Sequence, residues 1–562
     1  MPASDIFAAF RWWVVLMLVG VLATPLTFQI LRRLPDRGYA FSKLVGLLVA
    51  GYFFWMLGSL GFLHNSAGGI LAGILVLFGL SMWSYRRLNS ESSGNDSVIP
   101  WIRAHWRYVL TAELVFTVMF VFWTWVRSQN PAITATEKPM EFAFLNSMGR
   151  SPDFPPLDPW LSGFSISYYY FGYVITSLIT RLALVPETIG FNLANAWLPA
   201  ASALGAFGLV YNLISSSRKS IHRSAIIFAL VASAALPVAG NLEIVAEVLY
   251  ANGVGSPELW EWLDIRDINE PINAEVAPRY ESSNWWWWRS SRVIHEYDLA
   301  GNEEIGLEPI AEFPGFSFIL GDLHSHVIAL PFAFLSLAVA LAWWRDPGEE
   351  GVDLKGLLKQ RNGAALRRYF KANNGWLLLF TILIVGGLSF LNTWDVLIHM
   401  FVVVAAFMAA LWLRAGGWSR VILRQGITFA VIIALGSLIL YLPFYLGFRS
   451  QAGPPFLLPM IMRPTRLTHY LVIFGMSMVG VITLLAALFA GGLKYPSTRL
   501  KRGYLWRSFG ITSLIIIILV ALIALLGFVV ASSDEGLPTV LTLADDLDQT
   551  LAVRPQDPSL PE

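Results

Sequence analysis

Residues 376–413 read WLLLFTILIVGGLSFLNTWDVLIHMFVVVAAFMAALWL. As one helix this stretch would be about 57 Å long at 1.5 Å per residue, nearly twice the hydrocarbon thickness of a bilayer. The reading is therefore two membrane helices, broken at Asn392-Thr393-Trp394-Asp395. Polar residues at membrane depth are costly, so a break of this kind marks Asn392, Trp394 and Asp395 as candidate substrate contacts. Asn and Asp also cap helix ends, which is the structural alternative. His399 lies one turn beyond the break.

The same window of roughly 20 apolar residues picks out spans near 11–31, 41–62, 68–84, 107–126, 188–214, 224–249, 326–345, 376–393, 396–413, 426–447, 468–492 and 508–531. The fold class is all-α, a polytopic transmembrane helical protein of about 12 spans. Composition agrees: 56% of the 562 residues are hydrophobic and 14% charged, against roughly 25% charged in a soluble domain. That much apolar surface cannot be hidden from water, which excludes a soluble enzyme, a nucleic-acid binder and a disordered chain. Lys+Arg number 39 and Asp+Glu 38, so no net charge steers the chain toward an anionic partner. Having no cysteine, it has no disulfide, thiol nucleophile, iron–sulfur cluster or zinc–thiolate site. The first span runs into Arg32, Arg33 and Arg37 rather than a small-residue cleavage site, so it is not a secretory signal.

Lys and Arg in short loops mark the cytoplasmic side. Basic loops fall at 32–43, 86–107, 215–223, 355–371, 414–424 and 494–507. All six face inside only if 164–185 does not cross, which makes that segment an interfacial or re-entrant helix. The expected location is the cell membrane, multi-pass, with both termini extracytoplasmic. Loops 127–163 and 250–325, the 392–395 break and loop 447–467 then share the outer face. From 251 to 322 the chain carries 14 Asp/Glu against four Lys/Arg, an excess able to attract a cation. Four parts follow: N-terminal spans 1–106, a core 107–346 with its external loops, C-terminal spans 347–531, and a flexible acidic tail 532–562.

Three further constellations carry polar chemistry. In Thr136-Glu137-Lys138-Pro139-Met140-Glu141-Phe142, a helix puts Glu137 and Glu141 on one face. Partial desolvation would raise their pKa, as suits a general base. Asp158 follows in Pro155-Pro156-Leu157-Asp158-Pro159-Trp160; the structural alternative is a solvated, proline-rich loop. Tyr168, Tyr169 and Tyr170 point three ways on a helix and suit either an aromatic belt or stacking against a sugar or lipid head group. In Gly321-Asp322-Leu323-His324-Ser325-His326, an extended backbone puts Asp322, His324 and His326 on one face. Such a set suits Mn²⁺, Fe²⁺ or Zn²⁺, or a grip on a phosphate. Interfacial anchoring accounts best for the four tryptophans 285–288. There is no Walker loop, GxSxG elbow or HExxH.

Together, Glu137–Phe142, Pro155–Gly163, Tyr168–Tyr173 and Gly321–His326 resemble the YYY-type integral membrane proteins, grouped as domain of unknown function 2298. The resemblance covers roughly residues 100–450. Members of that family are longer and carry a downstream Arg-Met-Asn-Thr-type motif that is missing here, which implies a reduced member. More distantly, the layout resembles the GT-C glycosyltransferases, which take a sugar from a polyprenyl-phosphate carrier at the outer face. Span 107–126, Glu137 and the Tyr168–Tyr173 segment follow in the GT-C order, with Glu standing where that family usually has Asp. The resemblance implies a GT-C-like fold with interfacial helices in large external loops, Glu137 as base, and Glu141 and Asp158 as helpers. It also implies a lipid-linked sugar donor in the bilayer and a divalent cation, Mg²⁺ or Mn²⁺, held by Asp322, His324 and His326. The rival expectations are a transporter or flippase, which would carry its charges at mid-bilayer, and a non-catalytic assembly protein.

Overall fold

The computed structural model describes residues 2–91, 97–215, 223–238, 240–265, 268, 286–294, 309–348, 374–449, 465–494 and 502–531. The expected tail 532–562, Trp285, loop 355–371 and most of loop 447–467 lie outside the described residues. The described chain is helical, and its one β-type pairing is an isolated antiparallel bridge between Leu157 and Ser165. Among the described residues, ten helices are long and apolar enough to cross a membrane. Each coincides with one of the twelve spans read from the sequence. The other two are shorter: Gly375–Leu391 has 17 residues, and the 224–249 span stops at Ala235, just ahead of Pro237. Proline disfavours helix in the residue before it, and a separate helix starts at Glu243.

The chain divides into two units. The first, residues 1–239 and 317–450, contains α1 (Ala3–Ile30), α2 (Ser42–Ser59), α3 (Ala67–Glu91), α4 (Trp106–Gln129), α5 (Lys138–Arg150), α6 (Phe171–Leu182), α7 (Glu187–Ser215), α8 (Arg223–Ala235), α9 (Ser325–Arg345), α10 (Gly375–Leu391), α11 (Thr393–Ala415) and α12 (Arg420–Leu440). Helices α2, α7 and α9 are mostly buried, whereas α1, α3, α4, α11 and α12 turn an apolar face outward. An outward apolar face suits lipid as solvent.

Helix α6 explains the segment that the charge pattern kept from crossing. At 12 residues it is about 18 Å long, too short for a ~30 Å core. Residues Phe171–Thr180 are all buried, because α1, α2, α5, α7, α9 and α10 surround it. It is enclosed by protein on all sides, which excludes a helix lying in the head-group layer with one face wet. Gly172 permits the tightest of these contacts: a Cβ there would sit 2.6 Å from Ile328 of α9.

Buried polar groups tie the helices together. Lys43 of α2 lies 2.7 Å from Glu113 of α4, whose Oε1 also accepts the Tyr39 hydroxyl at 2.9 Å. Asp36 accepts from the Tyr108 hydroxyl (2.6 Å) and the Gly38 N–H (2.7 Å). At one end of the unit, Asp346 after α9 pairs with Arg33 after α1 (2.6 Å) and Arg414 at the end of α11 (3.3 Å). Basic residues from loops distant in sequence therefore meet at one end.

The second unit comprises residues 240–316 and 451–562. Its described helices include Glu243–Ala251, Pro257–Leu263, Leu467–Lys494 and Arg502–Ala531. Ala246, Trp260, Ile265, Ile268, Val293 and Val472 form a separate small core. The Leu242 N–H donates to the Val472 carbonyl at 2.8 Å, and Asp264 pairs with Arg466.

Candidate functional site

At the C-terminal end of α4 the chain must reverse before α5. It does so with Ala135 (φ 62°) and Thr136 (φ 51°) in succession in the left-handed region. A β-branched residue there is strained, and such strain concentrates at functional sites. Glu137 occupies the N-cap position of α5, with Pro139 in the first turn, where its missing N–H costs nothing. Acidic side chains at that end also suit the helix dipole.

The second half of the site comes from the turn 321–324. Gly321 has φ +70°, and a Cβ built on it would meet Arg127 Nη1 at 3.0 Å, so only glycine sits there without strain. Arg127 is held by Asn192 (2.6 Å) and the Ala132 carbonyl (3.1 Å). Two bonds clamp the backbone of Leu323: its N–H donates to Glu141 Oε2 at 2.6 Å, and its carbonyl accepts the Tyr173 hydroxyl at 3.0 Å.

The two halves meet. Lys138 Nζ lies 2.9 Å from Asp322 Oδ1, and the Thr136 hydroxyl donates to that oxygen at 3.0 Å. His324 Nε2 lies 3.1 Å from Glu137 Oε2, 3.4 Å from Glu141 Oε1 and 3.6 Å from Asp322 Oδ2. Glu141 and Asp322 are 0% and 1% exposed, whereas the Glu137 side chain is 56% exposed. Burial first, then the Asp322 charge, push the Glu141 carboxyl up to about 9, against the opposing Leu323 N–H and Lys138. Burial also pushes the Tyr168 phenol up, opposed by its bond with Ser325 and reinforced by Glu137 and Glu141.

Glu137, Glu141, Asp322, His324 and the edge of Tyr168 thus share one place. Other sequence candidates lie elsewhere. Asp158 Oδ1 accepts the N–H groups of Trp160 and Leu161, both at 2.8 Å, closing its own turn. Its described contacts include none with the cluster. Tyr168–Tyr170 precede α6 rather than belonging to a helix. Tyr169 packs on Phe448, and Tyr170 is core, its oxygen accepting from Trp55 at 3.1 Å. His326 lies in the first turn of the helix that begins at Ser325, with a ligand atom within 4.8 Å of one from His324. Its ring lies 5.3 Å from that of His324. At the 392–395 break Asn392 ends α10 and precedes α11, its carbonyl accepts the Asp395 N–H at 3.0 Å, and Trp394 is exposed.

The family model described as an uncharacterized membrane protein (DUF2298) matches residues 49–544, most of the chain and both halves of this cluster. The chain belongs to this family. No curated protein and no solved structure matches it. DUF2298 membership and the apolar helices establish a multi-pass membrane protein. Sequence reasoning passed over Lys138 and Thr136 as working residues of this DUF2298 chain. The available signal was a lone cation, Lys138, between two glutamates at the foot of a span. Tyr173 stood in the tyrosine motif, but its bond to the Leu323 carbonyl could not be read there.

Proposed function

We propose that the chain transfers a glycosyl group from a polyprenyl-phosphate donor to a hydroxyl acceptor at the extracytoplasmic face. The observation that carries this reading is the convergence of Glu137, Glu141, Asp322 and His324 at one end of the helical unit. Such a set of carboxylates and an imidazole, beside a hydrophobic surface, suits acid–base chemistry on a lipid-borne substrate. The positive-inside pattern of the six basic loops supports an outer position for this end and for both termini. The order of span, acidic motif and tyrosine segment, similar to that in GT-C enzymes, supports the sugar assignment as an analogy of layout.

In this reading the exposed Glu137 carboxylate takes the proton of the acceptor hydroxyl. The acceptor oxygen forms its bond to the anomeric carbon as the bond from that carbon to the phosphate oxygen breaks. The electron pair stays on the departing lipid phosphate. His324 Nε2 lies 3.1 Å from Glu137 Oε2, and the part of the Tyr168 ring left open by Phe144 and Tyr169 would contact the sugar.

The test is sugar transfer in vesicles carrying the purified chain and polyprenyl-phosphate donors. Glu137→Gln keeps the shape and removes the proton acceptor, so the rate should fall about 10²–10⁴-fold. Full activity in that variant removes the base. A wild type inert with every donor, yet moving a solute across the bilayer, replaces the enzyme by a transporter.

A further inference from the structure

Three unpartnered atoms face one another in the cluster. Glu141 Oε1, Asp322 Oδ2 and His324 Nε2 have no hydrogen-bond partner, although Glu141 and Asp322 are almost fully buried. Buried polar atoms are normally satisfied, and each exception calls for an explanation. Direct bonding within the set does not supply one. The imidazole nitrogen lies 3.1–3.6 Å from three carboxylates, yet it is aligned for a hydrogen bond to none of them.

These spacings match ligands arranged around a metal. Two atoms each about 2.1 Å from a cation lie about 3.0 Å apart at a right angle and about 3.4 Å apart at the tetrahedral angle. Glu137, Glu141 and His324 each offer one ligand atom, all within 4.8 Å of one another. Asp322 stands beside this set: Lys138 and Thr136 engage its Oδ1, and its Oδ2 lies 3.6 Å from His324 Nε2. Charge is compatible with this. Once Glu141 gives up its proton on binding the ion, three carboxylates and one ammonium leave two negative charges, which a divalent ion balances.

We infer that Glu137, Glu141 and His324 form a divalent-cation site of mixed oxygen and nitrogen ligands, Glu137 binding through one oxygen and keeping the other as base, with Asp322, paired with Lys138, beside it. Carboxylates suit Mg²⁺, Ca²⁺ and Mn²⁺, and the imidazole disfavours the first two. Mn²⁺ is therefore the probe. The ligand set replaces Asp322 and His326 by two glutamates of α5. The inference deepens the transferase reading and rests on the same cluster. A donor phosphate would meet repulsion from three carboxylates, and a cation converts that repulsion into attraction.

The purified full-length chain in detergent is stripped with chelator, incubated with Mn²⁺ and desalted. Bound metal is then measured by elemental analysis and electron paramagnetic resonance. The expected result is about one Mn²⁺ per chain. Glu141→Gln and the more accessible His324→Gln should each weaken binding about 10- to 100-fold or more. Asp153→Asn, in the exposed pair with His64, should bind as the wild type does. No retained Mn²⁺ in the wild type, or equal retention in both ligand variants, overturns the site. Sugar transfer that persists after complete chelation also overturns it and leaves the transferase standing. Stoichiometric Mn²⁺ with no transfer from any donor does the reverse.

Discussion

Lys138 and Asp322 form a buried ion pair, 2.9 Å apart, that joins the first turn of α5 to the turn ahead of α9. Their side chains are 8% and 1% exposed. Removing one partner leaves an uncompensated charge, which typically costs about 3–5 kcal/mol. Lys138→Met and Asp322→Leu should each lower the unfolding temperature in detergent. The double substitution should cost less than the sum of the two. Strict additivity in that double-mutant cycle would show that the pair is not coupled.

The Glu141 carboxyl gives stability a pH dependence whose sign follows from its raised pKa. The folded chain holds this proton up to about 9, whereas the free value is 4.5. Between those values the unfolded state binds fewer protons, so stability falls as pH rises through the window. With chelator present, the melting temperature should decline from about pH 5 to about pH 9. Glu141→Gln should flatten that decline; an unchanged slope would assign it to another group.

Two glycines test the packing around the cluster. Gly172→Ala places a methyl group 2.6 Å from Ile328 in a closed interface, and overpacking of this kind costs about 1–3 kcal/mol. Gly321→Ala forces an L-residue to φ +70° against Arg127, at about 1–2 kcal/mol for the backbone alone. Gly321→Ala should also disturb Mn²⁺ retention, because Gly321 opens the turn that carries His324. Thermal unfolding and metal analysis of the two variants separate these effects.

Orientation is open to chemical labelling. Cysteine at Ser162, an exposed residue of the loop after α5, should react with an impermeant maleimide applied outside whole cells. Cysteine at Ser90, exposed at the end of α3, should react only after lysis. The opposite pattern would put the cluster in the cytoplasm.

Much of the fold was legible because lipid demands long apolar helices, and length arithmetic alone separates α10 from α11 at Asn392. The interruption at Pro237 was missed because the apolar run continues past it. Within the cluster, alternation of Asp322 and His324 was readable. The helix start at Ser325, which puts His326 in the first turn of α9, was not. Nor could spacing tell that Glu141 is buried and Glu137 exposed. That contrast arises from the Leu323 backbone docking on α5, a contact between residues far apart in the chain. Tyr170 looked like its neighbours and proved to be core because Trp55, Phe390 and Phe444 close around it.

The enclosure of α6 has a consequence for biogenesis. Phe171 stacks on Phe390 at 5.0 Å, and Gly172 abuts Ile328, so two of the walls around this helix are synthesised long after it. When α6 leaves the ribosome it is too short to be integrated as a span, and α9 and α10 have not yet been made. The nascent chain must keep this segment at the insertion machinery, or shielded by α1, α2 and α7, until residues beyond 391 emerge. Assembly of this protein is thus ordered by its last-made walls rather than by the sequence in which its helices enter the bilayer.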